Sequence, residues 1–111
     1  MHQFTIGIEE EYQIIDVESR DLVSHVSKII EGGKAVLSEN LKHEMHESMI
    51  EMETGICQNI QEAKAELTNL RRHLIKTAHE QGLRVSGGGT HPFSNWEHNT
   101  ITNGERYIKI V

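Results

Sequence analysis

Three consecutive glutamates, Glu9 to Glu11, lie inside the run Gln3–Ile15, which otherwise predicts a β-strand. The even-numbered positions of this run, from Phe4 to Ile14, are mostly apolar and are expected to face a core, and the odd-numbered positions are mostly polar. Because successive side chains of a strand point to opposite faces, Glu9 and Glu11 share one face and stand roughly 6.5–7 Å apart along the chain. Two carboxylates this close repel each other unless a positive charge lies between them. A hard divalent cation such as Mg²⁺ supplies that charge, since it prefers carboxylate oxygens and often bridges to substrate phosphates. On spacing alone, a strand face in contact with water is the simpler interpretation.

A second alternating run, Ser48–Thr54, predicts another strand. If it pairs antiparallel with the first, Glu51 and Glu53 come close to the first two carboxylates. Glu44 is at an even-numbered position, whereas Glu51 and Glu53 are at odd-numbered ones, so on a continuous strand it would point to the opposite face. It joins the same cluster only if a bulge or a break separates it from this strand. A helix is the alternative for this segment, because Glu44, Glu47 and Glu51 are spaced by three and four.

The remaining elements form the scaffold for these carboxylates. Apolar residues recur at steps of three and four between Asn59 and Gln81, which predicts a long helix. Asn59 with Glu62 forms an N-terminal capping pair, and Gly82 ends the helix. Leu83–Ser86 predicts a third strand. The fold class is therefore α+β, an antiparallel sheet packed on a long helix.

Three glycines follow the third strand, in the stretch Gly87-Gly88-Gly89-Thr90-His91. Glycines at a strand end allow the backbone to approach a ligand closely. The stretch is not a phosphate-binding loop of the Walker type, since the Lys-Ser/Thr ending is missing. A plain turn is the alternative.

The composition limits the classes of function. A chain of 111 residues builds one small domain with a modest core. Its net charge of −6 argues against a nucleic-acid partner. A single cysteine, Cys57, excludes an internal disulfide and fits a reducing compartment. The sequence shows no signal peptide and no apolar run near the roughly 20 residues that span a bilayer, so we expect a cytoplasmic protein without membrane contact.

Several of these segments occur in the order and spacing of a known family. They are Thr5–Tyr12, His43–Glu44, Ser48–Thr54, the long helix, Gly87–Phe93 and Arg106–Tyr107. Over nearly all of its length the chain resembles the N-terminal part of the carboxylate–amine ligases of the glutamate–cysteine ligase type 2 family. Each segment is weakly specific alone, and together they are specific.

The resemblance implies a glutamine-synthetase-like catalytic fold, in which an antiparallel sheet forms a groove with Mg²⁺-binding glutamates on its floor. It also implies ATP-dependent chemistry, in which a substrate carboxylate becomes an acyl phosphate that an amine then attacks. Mg²⁺ or Mn²⁺ neutralises the phosphates in such chemistry. The implied partners are ATP and small amino-acid and amine substrates.

Site residues carry over from the family position by position. The resemblance gives Glu9, Glu11 and Glu51 as metal ligands, with Glu44 as a fourth candidate. Glu53 lies on the same predicted face and has a weaker match. The implied contacts to substrate or nucleotide are Gly88, Gly89, Thr90, His91 and Arg106.

Members of this family are several hundred residues long. Residues 1–111 are therefore expected to form a single partial domain, the N-terminal portion of a larger ligase catalytic domain. Three predicted strands leave open sheet edges, and an open edge recruits further strands. We expect the isolated chain to be inactive as a ligase and to form homo-oligomers.

Two other interpretations remain open. His43, His46 and His91 suggest a zinc site, although structural zinc sites usually use cysteines. Alternatively, the acidic residues form the solvated face of a non-catalytic interaction domain. Metal preference separates the three: Mg²⁺ or Mn²⁺ binding that needs glutamates supports the ligase, Zn²⁺ binding that needs histidines supports the zinc site, and no metal binding supports the interaction domain.

Overall fold

In the described part of the chain, the main elements are a four-stranded antiparallel sheet and one long helix. The computed structural model describes residues 3–24, 29, 31, 40–43, 48–89, 91–95, 97 and 100–103. The sheet has the order β2-β3-β1-β4, and every neighbouring pair is antiparallel. The elements are β1 (Glu9–Asp16), β2 (Leu41–His43), β3 (Met49–Glu53), α1 (Ile60–Glu80) and β4 (Leu83–Ser86). The predicted α+β class is confirmed.

The sheet differs from the prediction at two places. The short strand β2 adds a fourth strand, which pairs with β3. The first strand is predicted from Gln3, whereas β1 begins at Glu9. Among residues 3–8, Ile6 forms an isolated bridge with Cys57, and the Ile8 backbone carbonyl accepts a hydrogen bond from the Thr54 N–H at 2.9 Å. Gly7 lies in this stretch, and glycine weakens a strand because it has no side chain to pack.

The core lies between the sheet and the helix. Ile14 from β1, Ile50 and Met52 from β3, and Leu74 from α1 are each 0 % exposed. Ile50 and Met52 stand opposite Tyr12 and Glu10, so all three strand residues lie on the sheet face to which the even-numbered side chains of β1 point. The prediction that this face meets the core is confirmed. Burial of one such side chain contributes roughly 1.5–3 kcal/mol, which makes this face the main source of stability.

Two residues depart from the alternating pattern. Phe4 belongs to the apolar face by parity but is 86 % exposed, because it precedes the first residue of β1. Gln13 belongs to the polar face and is nevertheless buried at 4 % exposure. Gln13 stands between Met49 of β3 and Ser86 of β4, so the middle of the polar face is covered by both neighbours.

The helix α1 begins and ends close to the predicted residues. The Asn59 side chain accepts a hydrogen bond from the Glu62 backbone N–H at 2.8 Å. The Glu62 carboxylate in turn accepts from the Gln58 backbone N–H at 3.0 Å, one residue earlier than in the predicted capping pair. Gly82 follows the helix with φ +71°, a conformation that favours glycine. In the described part of the chain, no helix has the length and apolar character needed to cross a membrane.

Candidate metal centre

The pairing of β1 with β3 brings acidic residues face to face. In the antiparallel register Glu9 stands opposite Glu53, and Glu11 stands opposite Glu51. Directly opposed residues point to the same side of a sheet, with their Cβ atoms about 4.5–5.5 Å apart. All four carboxylates therefore lie on the face away from α1. The predicted antiparallel arrangement of the two acidic strands is confirmed.

Three of these side chains converge. One carboxylate oxygen from each of Glu9, Glu51 and Glu53 lies within 4.8 Å of the other two. Glu9 is exposed, and the other two are partly buried. Glu9 and Glu53 also line an open cleft of about 360 Å³ beside Gly7 and Thr54. The cluster is thus reachable from solvent through a space large enough for a small ligand.

The donor set suits a hard cation. Mg²⁺ binds oxygen at 2.0–2.1 Å in octahedral geometry, so adjacent oxygens on one ion are about 2.9 Å apart and opposite oxygens about 4.2 Å apart. The three oxygens lie within 4.8 Å of one another, so they would have to draw closer by up to about 2 Å to share one ion. A shared divalent ion would also remove the mutual repulsion of the carboxylates.

The other predicted metal ligands are placed less directly. Glu11 lies on the same face, but among the described residues the oxygens that converge are those of the other three glutamates. Glu53, the weaker match by sequence, is a full member of the cluster. Glu44 lies outside the described residues. The assignment of these residues as metal ligands stays a prediction.

The glycine-rich segment follows β4 as expected. Gly88 and Gly89 are exposed, and no side-chain or backbone atom would obstruct a Cβ at Gly89. The backbone is therefore accessible to a ligand, although nothing in the packing demands glycine at that position. Thr90 and Arg106, two further predicted contacts to substrate or nucleotide, lie outside the described residues.

His91 makes intramolecular bonds with both ring nitrogens. Its Nδ1 accepts from the backbone N–H groups of Phe93 at 3.3 Å and Ser94 at 3.1 Å. This assigns the ring proton to Nε2, which donates to the backbone carbonyl of Arg20 at 2.7 Å. His91 thereby fastens its segment to the turn that follows β1. A contact between this ring and substrate would require one of these bonds to break.

The zinc interpretation finds no support in the described part of the chain. His46 lies outside that part, and both ring nitrogens of His91 make hydrogen bonds within the chain. The one group of three or more converging metal-ligating side chains that the described residues form is the glutamate cluster. Its ligands are all oxygens, which suit Mg²⁺ or Mn²⁺ better than a structural zinc ion.

A polar network on the opposite face of β1 was missed by sequence reasoning. The Arg71 guanidinium holds the Glu10 carboxylate with two bonds, from Nε at 2.9 Å and from Nη2 at 2.7 Å. The Tyr12 hydroxyl donates to Glu10 at 2.9 Å and accepts from Arg71 at 3.1 Å. The bond from Arg71 is the main cause that lowers the pKa of Glu10. One feature of the sequence could have predicted this ion pair. Glu10 is an acidic residue on the strand face that is directed at the core, and a carboxylate there needs a cation from the helix that covers it.

A second missed contact ties the helix to the segment after β3. The Glu66 carboxylate accepts from the Gly55 backbone N–H at 2.6 Å and from the buried Cys57 thiol at 3.3 Å. Burial, followed by the bond to Glu66, raises the pKa of Cys57. The thiol therefore stays protonated and unreactive near neutral pH, which fits a structural cysteine.

Comparison with known proteins places the chain in one family. The family described as glutamate–cysteine ligase family 2 matches residues 5–110. A protein of Solibacter usitatus, named provisionally as a glutamate–cysteine ligase 2, is 49 % identical over 108 residues. Those residues cover 96 % of this chain and 28 % of that relative. A protein of Sorangium cellulosum with the same name is 49 % identical over 111 residues, covering 98 % of this chain and 30 % of its own length. This chain spans less than a third of these relatives, and it belongs to the glutamate–cysteine ligase family 2.

Proposed function

We propose that this chain supplies a divalent-cation site to an ATP-dependent carboxylate–amine ligase of the glutamate–cysteine ligase type. The observation that carries the proposal is the convergence of oxygens from Glu9, Glu51 and Glu53 within 4.8 Å on the open face of the sheet. Membership of the family supports ligase chemistry. The proposal applies to a protein of the relatives' full length, of which these residues correspond to less than a third.

The proposed reaction joins a carboxylic acid and an amine. ATP transfers its γ-phosphoryl group to the substrate carboxylate and leaves as ADP. The amine then attacks the acyl phosphate, which forms the amide and releases phosphate and a proton. Mg²⁺ or Mn²⁺ supplies charge neutralisation for the phosphates. Glu9, Glu51 and Glu53 hold the cation, and Glu11 on the same face extends the acidic surface toward the partly buried middle of β1.

The surroundings of the cluster fit a phosphate-bearing substrate only when a cation is present. Four carboxylates on one sheet face repel a phosphate, so the metal ion must outweigh them before ATP can approach. The exposed backbone of Gly88 and Gly89 is the proposed second contact region for substrate or nucleotide. We also propose that the full-length protein has a glutamine-synthetase-like groove and takes amino-acid and amine substrates. Its proposed location is the cytoplasm, and its proposed assembly is a homo-oligomer.

Metal titration is the first test. A protein of the relatives' full length is titrated with Mn²⁺ while free Mn²⁺ is followed by electron paramagnetic resonance, and separately with Zn²⁺ by calorimetry. We expect Mn²⁺ binding that Mg²⁺ displaces and that Glu9→Gln weakens. Zn²⁺ binding abolished by His43→Ala would favour the zinc site instead. Absence of any metal binding would favour a non-catalytic interaction domain.

Ligase activity is tested in the full-length protein. ADP release is measured with glutamate and a panel of amines, in the presence of Mg²⁺. We expect release that depends on both substrates and falls sharply in Glu9→Gln. A Glu18→Gln variant is the matched control, because Glu18 is exposed in the turn after β1 and loses the same charge. Equal loss of activity in both variants would count against a specific role for the cluster.

A further inference from the structure

The Arg71–Glu10 pair links the helix to the strand that carries the acidic cluster. Glu10 is the residue between Glu9 and Glu11, and its side chain points to the helix face while theirs point away. The pair is joined by two parallel bonds at 2.9 and 2.7 Å, a geometry that fixes orientation as well as distance. The Glu10 side chain is 21 % exposed, so the bond lies at the border of the core.

Both ends of this link are anchored. Arg71 follows Leu70 on α1, and Leu74 lies one turn further on; these two leucines are 5 % and 0 % exposed. Glu10 stands opposite Met52, which is 0 % exposed, in the β1–β3 register. The guanidinium therefore connects two elements that are each held by the core. At this point β1 pairs with β3 and not yet with β4.

We infer that Arg71 is a positioning residue for the cation site, because its grip on Glu10 fixes how β1 presents Glu9 and Glu11 on the other face. This inference rests on the proposed metal function. Residues 9–12 of β1 pair with β3 alone, because β4 pairs only with residues 13–16. The fork to Arg71 adds a restraint from the helix, one residue away from the first carboxylate of the cluster.

Electrostatics and positioning predict opposite effects when Arg71 is removed. Loss of a positive charge makes the protein more negative and by itself strengthens the binding of a cation. Loss of the Arg71–Glu10 bonds lets this part of β1 move and weakens binding. Groups that bond directly to metal ligands contribute about 10–100-fold in affinity, and Arg71 acts one residue away from a ligand, so the lower end of that range is expected. The sign of the change therefore separates the two effects.

The experiment compares Mn²⁺ affinity in the full-length wild-type protein and in its Arg71→Ala, Arg71→Lys and Arg72→Ala variants. Arg72 is the matched control, because it is exposed, loses the same charge and points about 100° away around the helix. We expect Arg71→Ala to bind Mn²⁺ on the order of tenfold more weakly. Arg72→Ala should bind as tightly as wild type or slightly more tightly. Arg71→Lys should recover part of the affinity, since it keeps the charge without the fork.

Hydrogen exchange of the metal-free chain provides a readout independent of metal. We expect the amides of residues 9–11 to exchange faster in Arg71→Ala, while those of Ile14 and Leu74 keep their protection. Unchanged or tighter Mn²⁺ binding by Arg71→Ala would overturn the inference, as would unchanged exchange. If wild type binds no Mn²⁺, the proposed function fails, and with it the role of Arg71 in a cation site.

Discussion

Replacement of Glu9 by Gln should weaken metal binding while leaving the metal-free fold as stable as before or more so. The carboxylate of Glu9 faces two others, with oxygens within 4.8 Å. At that distance two unit charges repel by about 0.9 kcal/mol in water. Because Glu9 is exposed and salt screens it, the measurable relief is smaller than two such pairs, about 0.3–1 kcal/mol.

The same change should act on the metal in the opposite direction. Gln keeps the shape and one carbonyl oxygen but loses the charge, so Mn²⁺ loses one of three anionic ligands. We expect Mn²⁺ affinity to fall on the order of tenfold or more. Urea denaturation of the metal-free chain should give an equal or slightly higher midpoint at low ionic strength, and the gain should shrink in 1 M salt.

Two outcomes would refute this reasoning. A midpoint that falls by the equivalent of 1 kcal/mol or more would mean that Glu9 makes a stabilising contact instead of a repulsive one. Mn²⁺ affinity equal to that of wild type would remove Glu9 from the site. Glu18→Gln is again the control, since its carboxylate lies in the turn after β1, away from the cluster, and we expect neither effect from it.

Three further predictions concern the scaffold. Leu74→Ala should cost about 2–5 kcal/mol of unfolding free energy by urea denaturation, because Leu74 is 0 % exposed, whereas Ile75→Ala, at a 56 % exposed neighbour, should cost much less; equal costs would mean the helix face is assigned wrongly. Gly82→Ala should cost about 1 kcal/mol in thermal unfolding from backbone strain alone, since φ is +71° and no atom lies near its Cβ; no cost would contradict that conformation. The bond to Arg71 lowers the pKa of Glu10 from its usual 4.5, so the ionised carboxylate stabilises the folded state above that pH and this stabilisation is lost as the pH falls below it. Arg71→Met should remove this part of the acid sensitivity. Melting temperatures measured over a pH series would show the difference.

Local sequence patterns were sufficient to predict most of the strands, the long helix and the sheet face on which the glutamates of β1 and β3 lie. Alternation in β1 and β3 is a property of the strand backbone, so the shared face of Glu9, Glu51 and Glu53 follows from parity once the antiparallel pairing is assumed. The helix caps at Asn59 and Gly82 likewise depend on residues within one turn. These predictions are confirmed because the physics that decides them spans only a few residues.

Contacts between distant residues could not be obtained in this way. Arg71 and Glu10 are 61 residues apart in sequence, and which of the helix arginines reaches β1 depends on how the helix rotates on the sheet. The short β2 was missed because three residues are too few to show alternation. The bonds of His91 to Arg20 depend on a loop folding back over 71 residues, which no periodicity records.

The sheet tolerates an acidic face because burial on the helix face stabilises the fold by more than carboxylate repulsion on the other face destabilises it. Each core side chain on the helix face, such as Ile14 or Ile50, contributes roughly 1.5–3 kcal/mol, whereas each repelling carboxylate pair on the other face costs about 1 kcal/mol or less in water. A register slip of one residue would expose the core residues and bury the glutamates, so the core enforces the register. The same register then holds Glu9 opposite Glu53. The proposed site is thus positioned by hydrophobic burial on the far side of the strand, and a bound cation would need only to offset the repulsion that remains.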